Sequence, residues 1–112
     1  MTYIILDIGG TKTRVASTND LRKIDKISKF NTAPKFKAGM ESIIKAIEDM
    51  KIPDKIQGIA IGIRGRINED KTALENDSVL SDWAKKPLAE TLEKHFKTAV
   101  FIENDTALAG LG

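Results

Sequence analysis

Apolar residues change their spacing along the chain, and the first stretch predicts strands. Residues 2–8 form a nearly continuous β-branched run, which is typical of a buried central strand. Residues 12–17 alternate in polarity after a Gly-Gly turn, and residues 26–32 form another run after the turn residues Asn19 and Asp20. Three strands joined by short turns predict an antiparallel meander.

A helical spacing follows Pro34. Five apolar residues recur at offsets of 3, 4, 7 and 10 residues, which places them on one face of an amphipathic helix: Met40, Ile43, Ile44, Ile47 and Met50. Pro53 ends this helix, because proline cannot continue the hydrogen-bond ladder. Residues 57–63 then form a second apolar strand.

The second half of the chain repeats this alternation. The polar residues 66–82 are assigned no element by their pattern. Pro87 stands where a helix can begin, and that helix has an apolar face of Leu88, Leu92 and Phe96. Residues 98–102 predict a third buried strand, and residues 106–112 predict the start of a last helix.

The predicted order is therefore βββ-α-β-α-β-α. A meander followed by two strand–helix crossovers predicts an α/β fold with a mixed five-stranded sheet and helices packed on it. The 112 residues are enough for one domain with one hydrophobic core.

Composition narrows the class of protein. Hydrophobic residues make up 41% and charged residues 30%, which is typical of a globular chain and not of a disordered one. No apolar run approaches the roughly 18 residues of a membrane span, and the first residues do not resemble a signal peptide, so we expect no membrane partner and a cytoplasmic location. The absence of cysteine excludes a disulfide framework and a cysteine-ligated zinc site.

Charge is unevenly distributed but weak. The net charge is +2; residues 1–56 carry eleven bases and seven acids, and residues 57–112 carry seven bases and nine acids. The basic first half could favour an anionic ligand. A nucleic-acid surface would need clustered bases and stacking aromatics, and the six aromatics are scattered, so no nucleic-acid partner is expected.

The first motif, DIGGTKT at residues 7–13, follows the first strand. Glycines let backbone N–H groups approach a phosphate, and hydroxyls and a lysine add donors. The candidate phosphate ligands are Gly9, Gly10, Thr11, Lys12 and Thr13, and the Asp7 carboxylate could hold Mg²⁺. The alternative is a plain hairpin turn, which the short pattern alone slightly favours.

The second motif is Glu103-Asn104-Asp105, directly after a predicted strand. An aspartate at the carboxyl end of a strand can accept a hydroxyl proton, and an asparagine can bind a sugar diol. The alternative is helix capping, for which Asn and Asp are preferred. Seen alone, capping is favoured for this motif.

A third motif, GIRGRI at residues 62–67, carries two arginines in a glycine-flanked loop that could line an anionic or polyol site. For Arg64 a solvated surface position is favoured. Trp83 is interpreted as a packing anchor rather than a sugar-stacking platform. The single histidine, His95, lacks partners at ligand spacing and is interpreted as structural or exposed.

Together and in order, these motifs resemble the ROK family (repressor, ORF, kinase) of sugar kinases. The resemblance covers essentially the whole chain, through residues 6–13, 59–67, 80–88 and 102–109. It implies a ribonuclease-H-like, actin-like ATPase lobe, residues 1–112, of an enzyme that transfers the ATP γ-phosphoryl group to a hexose or amino sugar.

The resemblance also implies roles for single residues. Asp105 resembles the general base, Asn104 a sugar-hydroxyl ligand, and Gly65 and Arg66 lie where related amino-sugar kinases contact sugar. The glycine turn resembles the first phosphate loop for ATP, with Asp7 near Mg²⁺.

The chain also departs from the family pattern. It lacks the usual proline in the loop of residues 62–65, and it ends before the family's zinc motif and adenosine-binding segment. Met1 leads directly into the first strand, which argues against a repressor with an N-terminal DNA-binding helix-turn-helix. We therefore expect an N-terminal lobe that is inactive alone.

Two alternatives remain. One is a non-catalytic module derived from a kinase half, which either binds sugar or self-associates into a homo-oligomer through its uncovered interlobe face. The other, which Glu103-Asn104-Asp105 disfavours, is an ATPase module of the actin or chaperone branch.

Overall fold

The first half of the chain folds as its apolar pattern predicts. The computed structural model describes residues 1–76 and 79–103. Its first elements are the strands β1 (Thr2–Ile8), β2 (Lys12–Thr18) and β3 (Lys26–Asn31), the helix α1 (Phe36–Asp49) and the strand β4 (Ile56–Ile63). The predicted meander, helix and second apolar strand are confirmed, with ends that move by a few residues.

The second half contains a small hairpin that the pattern did not assign. The elements are the strands β5 (Arg66–Ile67) and β6 (Leu74–Asn76), a 3₁₀ turn (Ser81–Trp83), the helix α2 (Leu88–Phe96) and the strand β7 (Val100–Glu103). β5 and β6 pair with each other and form a separate two-stranded sheet. Strands this short carry too few alternating residues to show a period of two. The predicted helix over residues 106–112 lies outside the described residues.

Five strands form the main sheet, in the order β3-β2-β1-β4-β7. β1, β2 and β3 are antiparallel neighbours, whereas β4 runs parallel to both β1 and β7. This is the mixed five-stranded α/β sheet that the order of elements predicted. The parallel strands β1, β4 and β7 end at the same edge of the sheet, which is where ligands of α/β proteins gather.

One face of the sheet packs against both helices, and we call it the helix face. Its buried apolar side chains form one cluster that includes Ile4, Leu6, Ile8, Val15, Ile59, Ile61, Ile63, Met40, Ile43, Ile47, Leu88, Leu92 and Ile102. Only alternate residues of a strand can point to this face. The other apolar residues in the continuous runs of β1 and β4 therefore lie on the opposite face of the sheet.

Trp83 holds the start of α1 against the 3₁₀ turn. Its indole is 1% exposed, its Nε1–H donates to the Ala33 carbonyl over 3.0 Å, and its ring meets that of Phe36 edge to face. Gly39 is required there, since a Cβ would lie 2.2 Å from Trp83 Cζ2. The interpretation of Trp83 as a packing anchor is confirmed.

The opposite face, which we call the open face, is covered by neither helix. The register aligns one residue from each strand in an apolar row: Ile27, Ala16, Ile5, Ala60 and Phe101. Ile27 and Phe101 remain exposed at the two ends of this row.

Neither helix in the described part of the chain combines the length and apolar character needed to cross a bilayer.

Candidate functional site

The glycine turn joins β1 to β2 at the carboxyl edge of the sheet. The Gly9 N–H donates to the Lys12 carbonyl over 2.9 Å, which closes the hairpin. A Cβ on Gly9 would lie 3.0 Å from that carbonyl oxygen, and a Cβ on Gly10 would lie 3.0 Å from Val79 Cγ1. A side chain at Gly9 would crowd a backbone carbonyl, and one at Gly10 would crowd the side chains of Val79 and Arg64; both glycines are half-buried.

Asp7 stands one residue before the end of β1, on the open face. Its side chain is buried, at 7% exposure for the residue, and the Arg14 guanidinium on β2 lies 3.4 Å from its Oδ2. The two residues are direct cross-strand neighbours. A buried carboxylate is retained where a cation offsets the cost of desolvation, and Arg14 is such a cation.

The three residues after the glycines point in different directions. Thr11 and Lys12 are exposed, and the Lys12 ammonium donates to the Asn31 side-chain oxygen on β3. Thr13 is 1% exposed, and its hydroxyl lies 2.7 Å from the hydroxyl of Thr32. Thr13 shares the helix face with Ile8, its cross-strand neighbour, so the structure does not bring it to the glycine turn.

A cleft of about 360 Å³ opens beside the turn on the open face. The described residues that line it are Asp7, Ile8, Gly9, Thr11, Lys12, Arg14, Lys29, Gly62, Ile63 and Arg64. Among these described residues, four cationic side chains face one carboxylate. Such an excess of positive charge suits an anionic ligand.

Arg64 belongs to this cleft rather than to a remote surface loop. The residue is exposed, as the sequence suggested, but its Nη1 lies 3.2 Å from the position that a Cβ on Gly10 would take. Its backbone N–H faces the Ile8 carbonyl at 3.4 Å. The arginine therefore reaches over the glycine turn from the end of β4.

Sequence reasoning missed Arg14 and Lys29 as cleft residues. Both are charged residues within strands, and they resemble solvated positions until the register is known. Pairing β1 with β2 across the glycine turn would have placed Arg14 opposite Asp7, and extending the meander would have placed Lys29 opposite Arg14. The hairpin register was the signal that could have found them.

Gly65 and Arg66 lie beyond the lining of this cleft. Gly65 has a φ of 95°, which glycine adopts without strain, and the chain turns there into β5. Arg66 is exposed and pairs with Asn76 in the small hairpin. Their predicted contact with sugar stays a prediction.

β7 brings the second motif to the same edge of the sheet. Glu103, its last residue, is level with Gly62 of β4, which is level with Asp7 of β1. The Glu103 carboxylate accepts from the Lys71 ammonium over 3.1 Å. Asn104 and Asp105, the predicted sugar ligand and base, follow directly but lie outside the described residues.

The chemistry of the donor set also bears on Mg²⁺. Within residues 1–76 and 79–103, no three His, Cys, Asp or Glu side chains cluster as a metal site would require. Magnesium in phosphoryl-transfer sites commonly takes one or two carboxylates together with substrate phosphates. Asp7 fits such a partial site, because its carboxylate stands beside the glycine turn.

His95 lies away from this edge of the sheet. His95 on α2 is exposed, and its Nε2 lies 3.2 Å from Glu48 Oε2 on α1. Its interpretation as structural or exposed is confirmed.

Comparison with known proteins adds a family to this geometry. The model of the ROK family matches residues 3–112. A glucokinase from Streptomyces coelicolor is 28% identical over 107 residues, which cover 96% of this chain and 33% of that enzyme. The chain thus spans about a third of the length of the curated relatives it matches.

Solved structures show the same fold. A ROK family glucokinase from Streptomyces griseus, in complex with glucose and AMPPNP, matches with a TM-score of 0.81 and 23% identity, over 93% of this chain and 33% of that one. A ROK family transcriptional regulator, a homologue of the E. coli MLC protein, matches with a TM-score of 0.74 and 17% identity, over 94% and 28%. Kinases and a regulator therefore share this architecture.

Proposed function

Because this chain belongs to the ROK family, we propose that it forms the N-terminal lobe of a sugar kinase that transfers the γ-phosphoryl group of ATP to a hydroxyl of a hexose or an amino sugar. The relatives it matches are about three times as long, so a second lobe would supply the rest of the site. Phosphoryl transfer depends on holding donor and acceptor in line, and one lobe holds only part of that geometry.

The observation that carries this proposal is the cationic cleft at the glycine turn. Gly9, Lys12 and Arg64 all line this cleft, and the Arg64 guanidinium lies close to Gly10. Phosphoryl transfer is assisted mainly by positioned positive charge on the transferring oxygens. The cleft supplies that charge.

The acceptor side of the proposed site follows β7. In this proposal the Asp105 carboxylate accepts the proton of the attacking sugar hydroxyl, and Asn104 hydrogen-bonds a neighbouring hydroxyl. Gly65 and Arg66 contact the sugar from the loop after β4. The register supports this arrangement, because Glu103 is level with Asp7 and Gly62 at the same edge.

The reaction balances as a simple displacement. The sugar oxygen forms a bond to the γ-phosphorus, the bond from that phosphorus to the β,γ-bridging oxygen breaks, and ADP leaves with the electron pair. Lys12 and Arg64 offset the negative charge of the phosphate oxygens. Mg²⁺, when bound beside Asp7, would neutralise further phosphate charge.

The test of the base is the substitution Asp105→Asn, made in a chain extended to the length of the relatives. We expect ADP release with glucose or N-acetylglucosamine to fall by about a hundredfold or more, while the circular dichroism spectrum stays unchanged. Asp49→Asn is the matched control, because Asp49 is an exposed carboxylate at the end of α1. Retained turnover in Asp105→Asn would refute the base assignment.

The chain of 112 residues tests the single-lobe proposal. We expect no turnover above background with ATP and sugar, and clear turnover by this form would overturn it.

A second function is favoured by one observation, the apolar row on the open face. Phe101 is 64% and Ile27 55% exposed in that row, and no described helix packs there. Exposed apolar side chains such as these two favour association, so a non-catalytic, self-associating module is the alternative. Sedimentation separates the two, since the alternative requires a concentration-dependent dimer.

A further inference from the structure

A row of charged residues crosses the open face at the edge where the cleft lies. The register aligns one residue from each strand of the main sheet: Lys29, Arg14, Asp7, Gly62 and Glu103. The two cations stand together on the β2–β3 side of the glycine turn, and Gly62 leaves a gap without a side chain on the other side. The row is therefore asymmetric, with its positive charge beside the turn.

Arg14 and Lys29 are like charges directly opposite each other on adjacent strands. Such pairs destabilise a sheet, because the two side chains are held about 5 Å apart at Cβ. The Asp7 carboxylate lies 3.4 Å from Arg14 and offsets its charge. The Lys29 ammonium makes no hydrogen bond or ion pair with any residue in the described ranges, and the residue is exposed. A local conflict without a structural compensation is typical of a functional site.

We propose that Arg14 and Lys29 form a second anion subsite next to the glycine turn, so that the cleft holds a chain of at least two linked phosphates. Both residues line the cleft, as does Lys12, which lies on the same face of β2 one position nearer the turn. The inference rests on the proposed function for its meaning, since the linked phosphates would be those of the phosphoryl donor.

The chemistry of the two side chains suits this role. Arginine carries five N–H donors, and the contact with Asp7 occupies one side of the guanidinium, so the others can face a phosphate oxygen. The Lys29 ammonium adds a point charge beyond it. The Asp7 carboxylate repels an anion placed directly over it, which favours phosphates on the side of Lys29 and on the side of the turn.

Linked phosphates can come from a nucleotide or from an inorganic oligophosphate, and the test separates the two. Calorimetry on the chain of 112 residues would compare inorganic tripolyphosphate, orthophosphate and ATP at low salt. We expect tripolyphosphate to bind at least about fivefold more tightly than orthophosphate, because it reaches two subsites. Equal affinity for tripolyphosphate and orthophosphate would overturn the second subsite.

Lys29→Gln is the decisive variant, because an exposed residue can be changed without loss of the fold. We expect it to weaken tripolyphosphate binding about threefold to fivefold and to leave orthophosphate binding unchanged, with Lys29→Arg restoring the affinity. Lys55→Gln is the control, since it removes the same charge from an exposed position just before β4, at the opposite end of that strand. Equal effects of Lys29→Gln and Lys55→Gln would overturn the proposal.

The ATP arm decides what is recognised. If Lys29→Gln weakens ATP and tripolyphosphate by the same factor, the subsite reads the phosphate chain from either source. The other outcome is that Lys29→Gln leaves the affinity for ATP unchanged although ATP displaces tripolyphosphate from the cleft. In that case Lys29 does not bind the phosphates of the nucleotide, and the proposal is refuted for ATP.

Failure of the proposed function would look different. A longer chain without sugar kinase activity would refute the kinase, whereas the preference of the 112-residue chain for tripolyphosphate would still stand or fall on Lys29.

Discussion

The helix face and the open face of the main sheet differ in the residues that they carry and in their roles. On the helix face, β1 and β4 bury the alternate apolar residues Ile4, Leu6 and Ile8, and Ile59, Ile61 and Ile63, beneath the two described helices. On the open face, the register places apolar residues in one row and, in the next, four charged residues and Gly62. The difference teaches that stability is concentrated on one face, whereas the candidate ligand chemistry lies on the other.

Each strand contributes to both faces, because successive residues point to opposite sides of the sheet. In β1, Ile8 is packed in the helix-face core and Asp7 opens onto the cleft. In β4, Ile61 and Ile63 are core residues on either side of Gly62, which lines the cleft. The packing of the helix face therefore holds in place the strands that carry the cleft residues.

The largest predicted effect on the free energy of unfolding is at Trp83, on the helix-face side. Trp83→Ala would lose an indole that is 1% exposed and leave a cavity against Gly39 and Phe36. We expect the free energy of unfolding to fall by about 3–5 kcal/mol, as for other large buried aromatics. Urea denaturation followed by circular dichroism measures it.

Trp83→Phe is the matched variant, because it keeps an aromatic ring but loses the hydrogen bond to the Ala33 carbonyl. It should cost less than Trp83→Ala. If Trp83→Ala cost under about 1 kcal/mol, the packing of α1 on the 3₁₀ turn would not contribute as described.

A smaller effect on the free energy of unfolding is expected when a change of pH protonates Asp82. Its carboxylate accepts the Phe36 N–H over 2.8 Å at the start of α1, and this bond holds the pKa of Asp82 below its ordinary value of 3.8, with nearby Lys86 and Lys35 adding to the shift. A carboxyl whose pKa is lowered on folding stabilises the fold when ionised. The contribution is therefore complete above the ordinary pKa and is lost as pH falls through and below it.

Asp82→Asn tests that sign, because the amide oxygen can still accept the Phe36 N–H without a charge. We expect the difference in unfolding free energy between wild type and Asp82→Asn to be largest at neutral pH and to shrink toward pH 3. Asp82→Ala should cost more than Asp82→Asn at every pH, since it also removes the acceptor. A difference that grows on acidification would contradict the assignment.

Most of the fold could be predicted from the sequence. The runs of β1 and β4 and the stripe of α1 are long and regular, so their periods determine the element. The β5–β6 hairpin could not be predicted, because Arg66–Ile67 and Leu74–Asn76 are too short to show a period. Its place depends on contacts distant in sequence, such as the Lys85 N–H donating to the Leu74 carbonyl.

The glycine turn of the site could be predicted, because a short sequence motif defines it. The residues that only the strand register brings to the site could not. Two glycines after a strand predict a turn that a ligand can approach, and the structure has that turn. Arg14 and Lys29 carry no local motif, and only the pairing of three strands places them beside Asp7. The motif at Thr13 predicts a phosphate donor, and only the structure places its hydroxyl 2.7 Å from that of Thr32; its contact with phosphate stays a prediction.

The smallest expected effect is on the open face, at Phe101. Phe101 and Ile102 are adjacent in β7, but Phe101 is 64% exposed and Ile102 is 1% exposed. Threonine suits a strand at either position, so Phe101→Thr and Ile102→Thr differ mainly in the face that they change. We expect Phe101→Thr to change the free energy of unfolding by less than about 0.5 kcal/mol, and Ile102→Thr to lower it by about 2 kcal/mol.

The pair tests the contrast between the faces directly, because strand, neighbours and replacement are shared. If Phe101→Thr destabilised the chain as much as Ile102→Thr, Phe101 would have to be buried in the folded state at the protein concentration used. Repeating the denaturation at tenfold lower concentration then identifies the cover. A transition that shifts with concentration indicates a second copy of the chain on the open face, and one that does not indicates burial within a single chain.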